Sequence, residues 1–133
     1  MHMNAVSVRA SSAYRQVQQE SRVAAADPVE LVAMLYEELE TALGVLVVLA
    51  RQQRSLATTD PAHRARMLLI ALDAGLDHAA GGDLAQSLSQ IYNSMRRRFD
   101  GAVIIGDVGG LMEIAEGVAS LRAAWDQVGR PAS

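Results

Sequence analysis

The chain has no cysteine, only three prolines and few aromatics: one Trp, three Tyr and one Phe among 133 residues. Without thiols, neither a disulfide framework nor a thiolate metal site can form, and sulfur redox chemistry is excluded; a reducing compartment is permitted. Lysine is also absent, so all twelve basic residues are arginine, and the net charge is −3. That balance lacks the basic face with which nucleic-acid binders displace phosphate counterions, so no nucleic-acid partner is expected. Long apolar runs are missing too. The longest, residues 43–50 around Gly44, is far too short to span a bilayer, and the N-terminus lacks a charged-then-apolar signal pattern, so no membrane insertion is expected. What remains is a chain half hydrophobic but only 4% aromatic, rich in Ala, Leu and Val. That mixture favours closely packed helices over a sheet, in one domain that buries roughly two thirds of its unfolded surface.

Helix punctuation and periodicity divide the chain into an N-terminal arm or short helix, residues 1–26, and a helical domain, residues 27–130. Asp27, Pro28 and Glu30 form a capping box with proline at the first helical position. From there Leu31, Leu35, Leu39, Ala42, Leu46 and Leu49 make one apolar stripe, and Val32, Tyr36, Leu43 and Val47 make a second about 100° round the helix. Either both stripes are buried in a central helix, or one is left for a partner. Asp60-Pro61 opens a second helix carrying Met67, Leu68, Leu69, Ile70, Leu72 and Leu76, which Gly81-Gly82 stops. Asp83 and Gln86 cap a third, with Leu84, Leu88, Ile91, Met95 and Ala102 on one stripe, widened by Tyr92, Phe99 and Val103. After residues 106–110, a fourth repeats Leu111, Ile114, Val118, Leu121, Trp125 and Val128 and ends at Gly129 and Pro131. The fold class is therefore all-α: an antiparallel up-and-down four-helix bundle with an N-terminal arm. Gly44, Gly75, Gly101 and Gly117 fall inside these helices, where close helix contact is the expected reason.

Catalytic chemistry is not evident in this inventory. His63 lies in a first helical turn, His78 stands beside Asp77, and neither is joined to a nucleophile by any motif. Metal-carboxylate bundles project Glu and Glu-x-x-His pairs inward, whereas the nearest pattern here is Asp60-x-x-His63 at a cap, so no metal and no cofactor are expected. Gly81-Gly82 and Gly109-Gly110 lack the spacing and strand context of a phosphate loop. Arg96-Arg97-Arg98 spreads over about 200° of arc and reads as a solvated face.

Particular residues carry a family likeness. Ala13-Tyr14-Arg15-Gln16-Val17, Glu20-Ser21 and Asp27-Pro28-x-Glu30-Leu31-x-x-Met34-Leu35-Tyr36-Glu37 resemble the opening of the flagellar secretion chaperones of the FliS family. Residues 71–77 with Gly81-Gly82, then Leu84 through Arg98, are similar to that family's central block, and Asp107 through Trp125 to its last helix. The likeness covers about residues 13–128. Departures occur at Glu37-Glu38, where an Asp-Gly pair is usual, at Asn93-Ser94 after Tyr92, and at Asp100-Gly101.

The resemblance implies a cytoplasmic chaperone, not an enzyme, that holds the C-terminal segment of flagellin, prevents premature polymerisation and delivers it to the flagellar type III secretion apparatus. The export gate is a further candidate partner, and the chaperone is expected to be a monomer or weak homodimer. A cargo segment that is disordered alone and helical when packed suits helix-in-groove recognition with folding coupled to binding. The expected cargo-binding residues are Met34, Tyr36, Leu43 and Val47 on the first helix and Tyr92, Met95 and Phe99 on the third, because methionine adapts to imperfect packing and aromatics bury large areas. Tyr14 on the arm is the expected lid. The alternative from another class is a homodimeric interaction protein whose second stripes close a permanent interface.

Overall fold

The computed structural model describes residues 28–129, which form four helices: α1 (Pro28–Arg51), α2 (Asp60–Ala74), α3 (His78–Ile105) and α4 (Val108–Gly129). The arm at residues 1–26, Tyr14 and the Asp27 cap lie outside the described residues. α1 packs on α2 and α4, and α3 packs on the same two helices, so α1 and α3 stand on one diagonal of a four-cornered bundle. Side-chain pairs give the directions. Glu38 of α1 meets Arg64 of α2, while Val45 shares a cleft with Asp60 and Pro61. Asp73 and Arg66 of α2 meet Ser89 and Asp100 of α3. Glu40 and Arg51 of α1 meet Arg122 and Met112 of α4. In each case later residues on one helix face earlier ones on the next, which is the expected up-and-down antiparallel bundle.

Several helix ends differ from the sequence expectation. Thr59, not Asp60, caps α2: its Oγ1 accepts from the Ala62 amide at 3.3 Å, leaving Asp60 in the first turn, where a carboxylate complements the helix dipole. α2 stops at Gly75 instead of Gly81-Gly82. Asp77 then caps α3, accepting from the Ala80 amide at 3.1 Å, so an available cap wins over the glycine pair. Gly82 appears as a kink inside α3, with φ 51° and ψ −126°. The α3–α4 turn needs only Gly106 and Asp107. Gly106 adopts the left-handed conformation (φ 67°, ψ 40°), and the Asp107 carboxylate accepts from the Gly110 amide at 3.0 Å.

Both stripes of α1 enter the core: Leu31, Leu35, Leu39 and Leu46 from the first, Val32, Tyr36 and Leu43 from the second. A corner helix with neighbours on two sides and the core between them buries a wide apolar arc, so the second stripe is not spare surface. On α3 the buried set is Ala85, Tyr92, Met95, Phe99, Ala102 and Val103. Leu84 and Ile91, on one sequence stripe with Met95 and Ala102, face outward at 55% and 39% exposure while those two are buried. The four helical glycines also divide. A Cβ on Gly117 would lie 2.8 Å from Met95 Cε, so α4 and α3 do approach closely there, whereas Gly44 and Gly101 face open space and Gly75 caps α2.

Candidate interaction surface

Five of the seven residues expected to line a cargo groove are inside the bundle: Tyr36, Leu43, Tyr92, Met95 and Phe99 are each at most 4% exposed. This corrects the expectation that they border an open groove in the free chain. All five belong to the buried core of the bundle, and Tyr36 and Tyr92 reach one another across the diagonal between α1 and α3. Met34 and Val47 are half-buried, packed against the edge of the core.

The hydroxyls of Tyr36 and Tyr92 share a buried hydrogen bond. It links α1 to α3 across the bundle, a diagonal along which the two backbones make no packing contact. Burial pushes the Tyr36 phenol above its ordinary pKa, with the bond to Tyr92 opposing. Burial likewise pushes Tyr92 up, aided by the neighbouring Tyr36 and by the Asp73 carboxylate. Both phenols therefore stay protonated well into the alkaline range. Asp73 itself accepts from Ser89 Oγ at 2.6 Å, and the Asn93 amide donates to the Ser89 carbonyl at 2.9 Å, so polar groups wrap the α2–α3 side of this layer.

The surface that remains is apolar in places, including two residues, Leu84 and Ile91, of the stripe that the periodicity marks on the third helix. Val45 and Val48 project from α1, Leu84, Ile91, Ile104 and Ile105 from α3, and Met112 from α4; Ile104 and Ile105 are 77% and 75% exposed. The usable signal was the spacing of Leu84, Ile91, Arg98 and Ile105, seven residues apart, with an arginine that no core stripe would hold. Between α1 and α2 lies an open cleft of about 520 Å³, lined by Glu37, Glu38, Thr41, Ala42, Val45, Asp60, Pro61 and Arg64. Arg64 pairs with Glu38 along it.

His63 and His78 are exposed, and among the described residues no three His, Asp or Glu side chains converge as a metal site would require. No helix among them is long and apolar enough to cross a membrane. Among the described residues the geometry is a helical bundle with a buried apolar core and scattered apolar side chains on its surface.

Comparison with known proteins agrees with that class. The family model described as flagellar protein FliS matches residues 10–132. A flagellar secretion chaperone FliS from Salmonella typhimurium is 32% identical over 122 residues, 91% of this chain and 90% of its own. Another from Vibrio cholerae is 29% identical over 119 residues, covering 87% and 85% respectively. The chain belongs to the FliS family of flagellar proteins, and with it to a family of chaperones with a flagellar export role.

Proposed function

We propose that this chain is a flagellin export chaperone: it holds the C-terminal segment of flagellin in the cytoplasm, keeps it from polymerising early and hands it to the flagellar type III secretion apparatus. The observation that carries this reading is the match to flagellar secretion chaperones along about nine tenths of the chain. The bundle supplies a physical basis. Among the described residues the core is closed without a guest, and the exposed apolar side chains Val45 and Val48 of α1 and Met112 of α4 remain for one. A cargo segment gaining helix on such a surface loses part of the contact energy to ordering, commonly about 2–5 kcal/mol or more, which keeps a large contact releasable. In the closed bundle Met34 and Val47 are the expected cargo contacts that reach the surface. Tyr36, Leu43, Tyr92, Met95 and Phe99 act from within, fixing the shape against which cargo packs, and Tyr14 remains the lid residue of this proposal.

The test is a calorimetric titration of the full chain with the C-terminal segment of the host's own flagellin, with helicity followed by circular dichroism. A one-to-one complex accompanied by a gain in helix is expected. Absence of heat and of helix gain at millimolar segment would overturn the proposal.

A further inference from the structure

The outer face of α3 carries a pattern that the bundle itself does not use. Leu84, Ile91, Arg98 and Ile105 recur at seven-residue intervals and all are exposed; Ser87, Ser94 and Gly101 fall between them at the intermediate positions. This is the 3.5-residue seam of a coiled-coil partner face, in which small residues let a second backbone come close. A Cβ at Gly101 would meet nothing within 4 Å, so the seam is open there. From Leu84 to Ile105 it runs about 32 Å, the length of a six-turn helix.

Charge then selects the occupant. The chain is acidic, at −3, and Arg64, Arg66 and Arg122 each pair with a carboxylate of a neighbouring helix. Arg97 and Arg98 are exposed and have no ion-pair partner among the described residues. The nearest acid on α3, Asp100, is held by Arg66 at 2.7 Å. A second copy of this face fits poorly. Antiparallel pairing of Ile91 with Arg98 would set the two arginine pairs about 10 Å apart along the axis with no carboxylate between them, and parallel pairing would set them side by side. The chain's own residues 1–27 bring Arg9, Arg15 and Arg22 against only Glu20 and Asp27, the wrong sign again.

We propose that the outer face of α3 is a docking seam for one acidic amphipathic helix of another protein. That helix presents apolar residues to Leu84, Ile91 and Ile105 and a carboxylate to Arg98. Arg98 then reads the partner, because a carboxylate completes its ion pair whereas a lysine or leucine opposite it leaves a guanidinium uncompensated. The proposal does not depend on which flagellar cargo the chain carries.

The experiment uses the full chain and synthetic alanine-based helices of about 24 residues. Each carries three leucines and one glutamate at seven-residue intervals, ordered to match the seam in the parallel or the antiparallel sense, and each has a counterpart with lysine for the glutamate. Binding is followed by fluorescence anisotropy and by methyl NMR shifts of Ile91 and Ile105. At least one glutamate peptide should bind about tenfold or more tightly than its lysine counterpart and shift both methyls. Arg98→Glu should reverse that preference, and Ile91→Asp should weaken both peptides about tenfold or more. Both sites are exposed, so helicity should be retained; should Ile91→Asp lose it, the Arg98→Glu reversal decides alone. No binding below about 1 mM, equal binding of glutamate and lysine peptides, or an unchanged preference in Arg98→Glu would each overturn the proposal.

Discussion

Tyr36 and Tyr92 show how a single bond can be worth less than its removal costs. Two buried hydroxyls share one hydrogen bond, and replacing either with Phe strands the other phenol without its partner in an apolar interior. Tyr36→Phe and Tyr92→Phe should each destabilise the chain by about 1–2 kcal/mol in urea unfolding, while the double substitution should cost clearly less than their sum. The same pair sets an alkaline limit. Both folded-state pKa values lie above the ordinary 10.0, so above about pH 10 the unfolded chain loses protons that the folded one keeps, and stability falls as pH rises. Below that value the pair contributes no pH dependence. Thermal melts from pH 8 to 11 should show a steeper alkaline loss for the natural sequence than for the double Phe variant. Deeper in the core, Phe99 is fully buried; Phe99→Ala should cost about 3–5 kcal/mol, a large part of a typical domain's stability.

At the scale of the helix, glycines that looked alike in sequence separate by environment. Gly44 is exposed in the middle of α1 with open space beside it, so Gly44→Ala should stabilise by about 0.5–1 kcal/mol. Gly117→Ala should give less, because its methyl group would displace Met95 Cε. Guanidinium unfolding of the two variants side by side checks the order. Thr59→Ala removes the α2 cap and should cost about 1 kcal/mol. The existence and approximate extent of all four helices were legible in the sequence, since apolar steps of three and four cannot be satisfied by strands. Which arc of α3 turns inward was not. Leu84 and Ile91 are as apolar as anything on the buried side, and Tyr92 and Phe99 lie within a residue or so of them round the helix. In the fold Tyr92 turns inward and meets Tyr36 of α1 across the bundle, a long-range contact that the periodicity of α3 alone does not contain. Caps were equally ambiguous: Thr59 and Asp60, like Asp77 and Asp83, are rival signals that local chemistry alone does not rank.

For the whole molecule, bundle architecture and family both followed from the residue pattern, the family because Asp27 through Glu37 and Leu84 through Arg98 keep their order and spacing. The cargo surface did not follow. On α1 an apolar stripe serves both a corner helix and a guest, so periodicity alone cannot divide the two uses; Tyr36 and Leu43 are buried, while Val47 of the same stripe is only half-buried.

The ring of neighbours has one long closure. Glu38 and Arg64 are 26 residues apart and Asp73 and Ser89 only 16, but Glu40 and Arg122, which join α1 to α4, are 82 apart. Closing the longest of these loops costs about 1.4 kcal/mol more chain entropy than closing the shortest. On the ribosome the delay is longer still: at ordinary elongation rates α1 emerges roughly 4–16 s before its α4 partner. Through that interval the nascent chain is itself a half-covered client, and the first helix of this chaperone needs shelter before the molecule can give any.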